Sequence, residues 1–253
     1  MGEAMIRCLL RQKITATGDI TVSDVSQSRR ELLKKECGVK TLANNGEAVE
    51  SADLIILAVK PQDLAQVMEE IENPAPQQVV LSIVAGASLA ALCRGLNHPC
   101  IIRAMPNMPV QIGEGMVVWV ATAEVNPKQK KMAQSVLGAL GEEVYVDDEK
   151  YLDMATALSG SGPAYVFLFI EALVDAGVHI GLPRNMATKL VVQTIIGSTD
   201  AVQEMGKHPA ELRSMVTSPG GTTSEALFQL EKGGFRSLLL EAVAAAYSKA
   251  KHL

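Results

Sequence analysis

Up to Asp148 the hydrophobic positions alternate between two periods, one helical and one extended. Residues 3–13 read as a helix. A strand over 20–25, a helix over 29–37 and a short strand over 39–42 follow. A short helix over 47–50 leads into LIILAVK, residues 54–60, an apolar strand of the kind buried on both faces of a parallel sheet. Pro61 is placed to open the next helix, 62–72. The pattern repeats with a strand over 79–85, a helix from Ser88 and a strand over 101–105. Strands over 116–121 and 143–146 then flank a helix opened by Asn126-Pro127. Such βαβ alternation predicts a doubly wound α/β sheet.

After Asp148 the extended pattern stops, and the chain reads as helical to its end, broken by GSGP, GLPR, KHPAE, SPGGTT and GGF. The change predicts two domains, 1–148 for a dinucleotide and 149–253 all-helical. The helix from Pro163 is apolar nearly all round except at Glu171 and Asp175. Those charges argue against a membrane span. A small helical domain alone can hardly cover such a helix, which predicts that a second copy of the chain does so.

The sheet pattern lacks its usual opening. A Rossmann-type domain begins with a strand followed by G-x-G-x-x-G. Here Met1-Gly2 leads directly into the first helix, so Gly2 corresponds to the third glycine and the first strand is missing. The expectation is that the native protein carries roughly ten further residues upstream, supplying that strand and the first two glycines.

Composition narrows the function classes. The 253 residues are 48% apolar and 20% charged, with a net charge of −5, which leaves no basic field for nucleic acid or an anionic membrane. Cys8, Cys37, Cys93 and Cys100 show no C-x-x-C spacing, and the histidines are scattered. Reduced thiols in a cytoplasmic protein and no metal site are therefore expected. MGEAMIRCLL has neither a signal-peptide core nor the Ser or Thr of a myristoylation site.

Several stretches carry candidate chemistry beside a plain structural reading. Asp24 ends the second expected strand at the spacing of an acid that binds an adenosine ribose. Arg29 and Arg30 would instead meet a 2′-phosphate, although Ser28-Arg29-Arg30-Glu31 also fits a capping box with exposed arginines. Ala58-Val59-Lys60-Pro61 and Val84-Ala85-Gly86 end adjacent strands, where open α/β sheets bind ligands, and Gly86 permits close backbone approach. Arg103-Ala104-Met105-Pro106-Asn107-Met108-Pro109 is either a ligand contact or a rigid turn. Ser159-Gly160-Ser161-Gly162-Pro163 is either an anion seat or a close approach of backbones.

The stretch Thr217–Leu227, TSPGGTTSEAL, holds no His, Cys or Lys, so it excludes nucleophilic and metal chemistry in that loop. Thr222-Thr223-Ser224-Glu225 fits a capping box with Thr222 as N-cap, leaving the Thr223 hydroxyl free. Backbone N–H groups beside Gly220 and Gly221 make an anion seat, and a tight helix–helix turn is the alternative.

AVKP, SIVAG, RAMPN, LSGSGPAY, SPGGTT and GGFRSLL, in order from Gly2 to the C-terminus, resemble the pyrroline-5-carboxylate reductase family. The resemblance implies reduction of 1-pyrroline-5-carboxylate to L-proline with NADPH or NADH. It also implies a helical dimerisation domain, with dimers often assembled into rings. Carried over by position, Asn45, Ala58, Val59, Lys60, Pro61, Val84, Ala85 and Gly86 look like cofactor contacts, with Gly2 and Asp24 beside them. Gly220, Gly221 and Thr222 look like the seat of the substrate carboxylate, and Thr223 like the residue whose hydroxyl meets the ring nitrogen. A β-hydroxyacid dehydrogenase would need a lysine on the long interdomain helix, and 159–177 has none. A non-catalytic helical scaffold that has lost cofactor binding is the alternative from another class.

Overall fold

The structure, a computed structural model, describes residues Met1–His252. The chain divides into two compact units, Met1–Pro163 together with the residues from Ala246, and Ala164–Ala245.

The first unit carries all the strands. Helix α1 (Gly2–Arg11) precedes β1 (Thr21–Ser23), α2 (Gln27–Cys37), β2 (Lys40–Leu42) and α3 (Asn45–Val49). Then come β3 (Leu54–Leu57), α4 (Leu64–Ile71), β4 (Val79–Ser82), α5 (Leu89–Leu96), β5 (Ile101–Pro106) and β6 (Gly115–Ala121). Helix α6 (Pro127–Gly138), β7 (Gly141–Tyr145) and α7 (Lys150–Ala155) complete the series. Strands β1 and β2 form a separate parallel pair, and the remaining strands form one sheet in the order β3-β4-β5-β6-β7. The Rossmann-type expectation holds, with one departure. Strand β6 runs antiparallel to β5, whereas the other neighbours are parallel. The cause is the connection between them: it holds only the short 3-10 turn Met108–Ile112, too little chain for a parallel crossover.

Alternation along β4 divides the core. Val79 and Leu81 face a cluster with Met5, Leu9, Trp119, Leu137 and Leu140, under α1 and α6. Val80 faces the opposite cluster, with Leu57, Leu64, Leu92 and Leu96, under α4 and α5. Every residue of β4 is buried. In β3 burial alternates in degree, with Ile55 and Leu57 buried in the second cluster and Leu54 and Ile56 packed partly buried against the first, so both faces of the strand are covered, as expected.

Local chemistry fixes the helix starts. Ser26, not Ser28, is the N-cap of α2, with its hydroxyl accepting the Arg29 N–H, so the expected capping box over 28–31 does not form. Ser88 caps α5 on the Ala91 N–H, and Asn126 with Gln129 forms a reciprocal box ahead of Pro127.

From Lys150 the chain is helical. Helix α7 runs through a π-helical segment, Thr156–Gly160, into α8 (Gly162–His179). SGSGP therefore sits within a helical run, and Pro163 is not the first residue of a new helix. α9 (Arg184–Met205), α10 (Pro209–Met215), α11 (Thr222–Lys232) and α12 (Phe235–Ala250) follow. Among the described residues of the unit Ala164–Ala245, the only buried hydrophobics are Val174 and Ala187. Phe167, Leu168, Leu190, Ile196, Phe228 and Leu240 are all exposed.

Candidate active site

Because β3, β4 and β5 are parallel, their C-terminal ends share one edge, and Ala58–Pro61, Val84–Gly86 and Asn107 follow those ends directly. Gly2 is the first residue of α1, and a Cβ placed on it would lie 3.3 Å from the Ala58 Cβ. The approach of α1 to the end of β3 thus uses the absence of a side chain. The first N–H groups of α1 have no partner within the helix, which with the helix dipole suits a diphosphate. After β4, Val84-Ala85-Gly86-Ala87 makes a tight turn with Gly86 at φ +77°, the third turn position at which a type II turn requires glycine. Val84 is buried, so only its backbone is offered, while Gly86 is exposed. Lys60 is the N-cap of the 3-10 turn Pro61–Asp63, is exposed, and forms no ion pair.

Asp24 and Asn45 are brought together through the β1–β2 pair. The Asp24 N–H donates to the Leu42 carbonyl, and Ser23 Oγ bonds Asn45 Oδ1 at 2.5 Å. One Asp24 carboxylate oxygen accepts the Ser26 N–H at 2.8 Å, which leaves the other for a ribose hydroxyl. Asn45 also donates to Glu70, so its carboxamide is engaged at both ends. Arg30 donates to the backbone carbonyls of Asp24 and Val25. Arg29 is held at 2.6 Å by Glu3, which also accepts from Arg7. These contacts, Arg29 first, hold the Glu3 carboxyl below the ordinary range. The Glu3–Arg29 tie between α1 and α2 was not anticipated; only the Glu3–Arg7 pair, spaced by one helical turn, was legible in the sequence. These residues fit a dinucleotide: tight glycine contact, free helix N–H groups and an open carboxylate at the end of β1.

In the other unit, Ser218-Pro219-Gly220-Gly221 forms a tight turn closed by Gly221 N–H to Ser218 O at 3.1 Å. Proline at the second position and Gly220 at φ +68° at the third fit a type II turn. A Cβ on Gly221 would approach Ser218 Oγ to 2.4 Å. The expected capping box is overturned here. Gly221, not Thr222, is the N-cap of α11, with no side-chain cap, and Thr222 is the first helical residue. The turn pulls the helix start one residue forward, and the Gly221 carbonyl accepts the Glu225 N–H. As a result no side chain among the described residues occupies the N–H groups of Thr222, Thr223 and Ser224, and neither threonine hydroxyl has a partner among them. The stretch offers no His, Cys or Lys. It can hold an anion on N–H groups and offer a hydroxyl.

Of the two readings of Asn107 the structural turn fits: it is the N-cap of the 3-10 turn Met108–Ile112, and its carboxamide bonds Ser159 O and the Met116 N–H. Arg103 is buried and pairs with Glu149 at 2.8 Å and Asp153 at 3.4 Å. Among the described residues no group of three or more His, Cys, Asp or Glu side chains converges.

Residues 149–253 match the family profile described as pyrroline-5-carboxylate reductase dimerisation, and residues 1–86 match that of NADP oxidoreductase coenzyme F420-dependent. The pyrroline-5-carboxylate reductase of Synechocystis is 43% identical over 253 residues, covering 100% of this chain and 94% of that protein. That of Escherichia coli is 37% identical, with 100% and 94% covered. The solved pyrroline-5-carboxylate reductase of Coxiella burnetii superposes with a TM-score of 0.92 at 34% identity, over 99% of this chain and 94% of that one. The Plasmodium falciparum pyrroline carboxylate reductase, solved with NADP bound, gives 0.90 at 33% identity, over 100% and 94%. With glycine cradles on a Rossmann-type sheet, an open helix N-terminus after SPGG, and relatives of this identity along its whole length, the chain belongs to the pyrroline-5-carboxylate reductase family.

Proposed function

We infer that the chain reduces the cyclic imine of 1-pyrroline-5-carboxylate to L-proline, with NADPH or NADH as reductant. The observation that carries the reading is the start of α11, with unpartnered N–H groups and free threonine hydroxyls directly after a turn that only glycine accommodates. Gly220, Gly221 and Thr222 hold the substrate carboxylate, at about 1.5–3 kcal/mol for each charge-assisted hydrogen bond. The Thr223 hydroxyl meets the ring nitrogen, donating to the neutral imine or accepting from its protonated form. When bound, the reduced nicotinamide supplies a hydride to the imine carbon, and a proton completes the amine at nitrogen. The substrate is already electrophilic, so the protein's task is orientation and polarisation, and the loop needs no His, Cys or Lys.

Gly2, Asp24, Ala58–Pro61 and Val84–Gly86 form the cofactor side, together with the backbone of Asn45, whose carboxamide is tied to Ser23 and Glu70. The functional division is 1–148 for the dinucleotide and 149–253 for substrate and dimerisation. Self-association follows from the exposed apolar residues of Ala164–Ala245, and the unit is the dimer or a ring of dimers. By length and composition the run Lys150–His179 is apolar enough to cross a bilayer. Glu171 and Asp175 within it, and the family's dimerisation region over it, support a subunit contact instead. The net charge of −5 opposes nucleic-acid binding, and free cysteines suit the cytoplasm. The test is oxidation of NADPH and of NADH by the purified chain with 1-pyrroline-5-carboxylate, beside nucleotide binding by fluorescence. Binding without turnover would refute the reductase reading, and neither would favour the non-catalytic scaffold.

A further inference from the structure

Strand β5 grips the helical run at two points. Near its middle, Arg103 reaches Glu149 and Asp153, and Glu149 also accepts the Leu89 N–H at 2.8 Å. Just past its C-terminal end, Asn107 Nδ2 donates to the Ser159 carbonyl at 3.1 Å, while Asn107 Oδ1 accepts the Met116 N–H at 2.8 Å. Ser159 lies inside the π-helical segment, which is closed by Ser161 N–H to Thr156 O at 2.8 Å. A π turn holds one residue more than an α turn and occurs mostly as a single-turn bulge, frequently at functional sites. Reverting to α-helical pairing would rotate Ser161 by about 100° around the helix axis. The segment packs on β5, since a Cβ on Gly160 would make an ordinary contact, 3.5 Å, with the Met105 methyl. Ser161, the first residue past the segment, has no hydroxyl partner among the described residues and is partly exposed. Its neighbours Ser159 and Gly160 meet Asn107 and Met105 at the end of β5, which lies on the same sheet edge as the ends of β3 and β4, where the reductase reading places the cofactor.

We infer that Asn107 is a positioning residue for hydride transfer: by bonding the Ser159 carbonyl it fixes the π-turn register, and so the placement of Ser161 at the cofactor-facing edge of the sheet. The inference rests on the reductase function proposed above. Asn107 does not touch the reacting atoms, because both ends of its carboxamide are already engaged. Its effect runs through the turn.

The test compares the parent enzyme with Asn107→Ala and Asn107→Asp. For Asn107→Ala the expected result is kcat lower by about tenfold, with KM for 1-pyrroline-5-carboxylate and Kd for NADPH within about twofold of the parent. The isotope effect with deuterated NADPH should rise, as the chemical step becomes limiting. In Asn107→Asp the ionised carboxylate cannot donate to the Ser159 carbonyl, but the protonated acid can. Its activity relative to the parent should therefore climb as pH is lowered from about 8 to about 5.5, a recovery that a merely structural role would not produce. An unchanged kcat in Asn107→Ala, or a flat activity ratio across pH in Asn107→Asp, would overturn the inference. If Asn107→Ala does not fold, the pH ratio of Asn107→Asp decides alone. A parent enzyme that binds NADPH but does not reduce the imine would remove the function itself, and with it this role.

Discussion

Replacing Thr223 with alanine separates chemistry from stability, because the structure gives its hydroxyl nothing else to do. Thr223 is the second residue of α11, part-exposed, and its side chain neither caps the helix nor bonds a neighbour. Alanine at this position costs no intramolecular hydrogen bond, and alanine favours a helix over threonine by a few tenths of a kcal/mol. The melting temperature should stay level or rise slightly. On the role proposed for its hydroxyl, one polar contact to the ring nitrogen in the transition state should be lost, about 1.4–2.8 kcal/mol, or about 10- to 100-fold in kcat/KM. Thr223→Ser, which keeps the hydroxyl, should retain activity within about threefold. Thr222→Ala is the companion, since a capping Thr222 would cost about 1 kcal/mol on replacement. With Gly221 as the N-cap that loss should be absent. The assay is steady-state oxidation of NADPH over a range of 1-pyrroline-5-carboxylate concentrations, beside thermal melting of each variant. Turnover by Thr223→Ala equal to the parent would refute the assigned role, as would an equal loss in Thr223→Ser.

Gly220→Ala forces an L-residue into φ +68°, at a cost of about 1–2 kcal/mol, and should raise KM for the carboxylate substrate more than it lowers kcat. Arg103→Met leaves Glu149 and Asp153 without their cation; since each carboxylate is 29% exposed, the loss should be about 1–3 kcal/mol, read as a lower urea midpoint. Leu168→Glu, at a residue 67% exposed in the chain alone, should yield a monomer by sedimentation. Glu3 has its pKa depressed by Arg29 and Arg7, so its stabilising effect is present above the ordinary carboxylate pKa and is lost as pH falls through the lowered value. Glu3→Gln should therefore reduce stability at neutral pH and leave the difference small in acid, as followed by melting at a series of pH values.

Much of this architecture was legible because it rests on short-range periods. The continuous apolar run into VVLS, the Asn126-Pro127 helix start and the loss of strands after Asp148 each reflect the chain's own local preferences. The misreadings came where tertiary position or backbone torsion decides. Thr222 and Glu225 have the spacing of a capping box, but the turn over Ser218–Gly221 starts the helix one residue earlier. The antiparallel β5–β6 pair was implicit in the short 107–114 connection and could have been read from its length. The Asn107–Ser159 bond spans 52 positions and has no local signature at all.

A unit that buries only Val174 and Ala187 among its hydrophobics has little with which to offset its own chain entropy. Folding of Ala164–Ala245 is then coupled to association, and mass action enters its stability. Its melting temperature should climb with protein concentration, and dilution should expose α8 and α9 to proteases before the β-sheet unit yields. A partner chain with a defective catalytic loop but an intact apolar face would still protect a sound one. Mixed with the parent, such a chain should restore folding in dilute samples while contributing no turnover of its own.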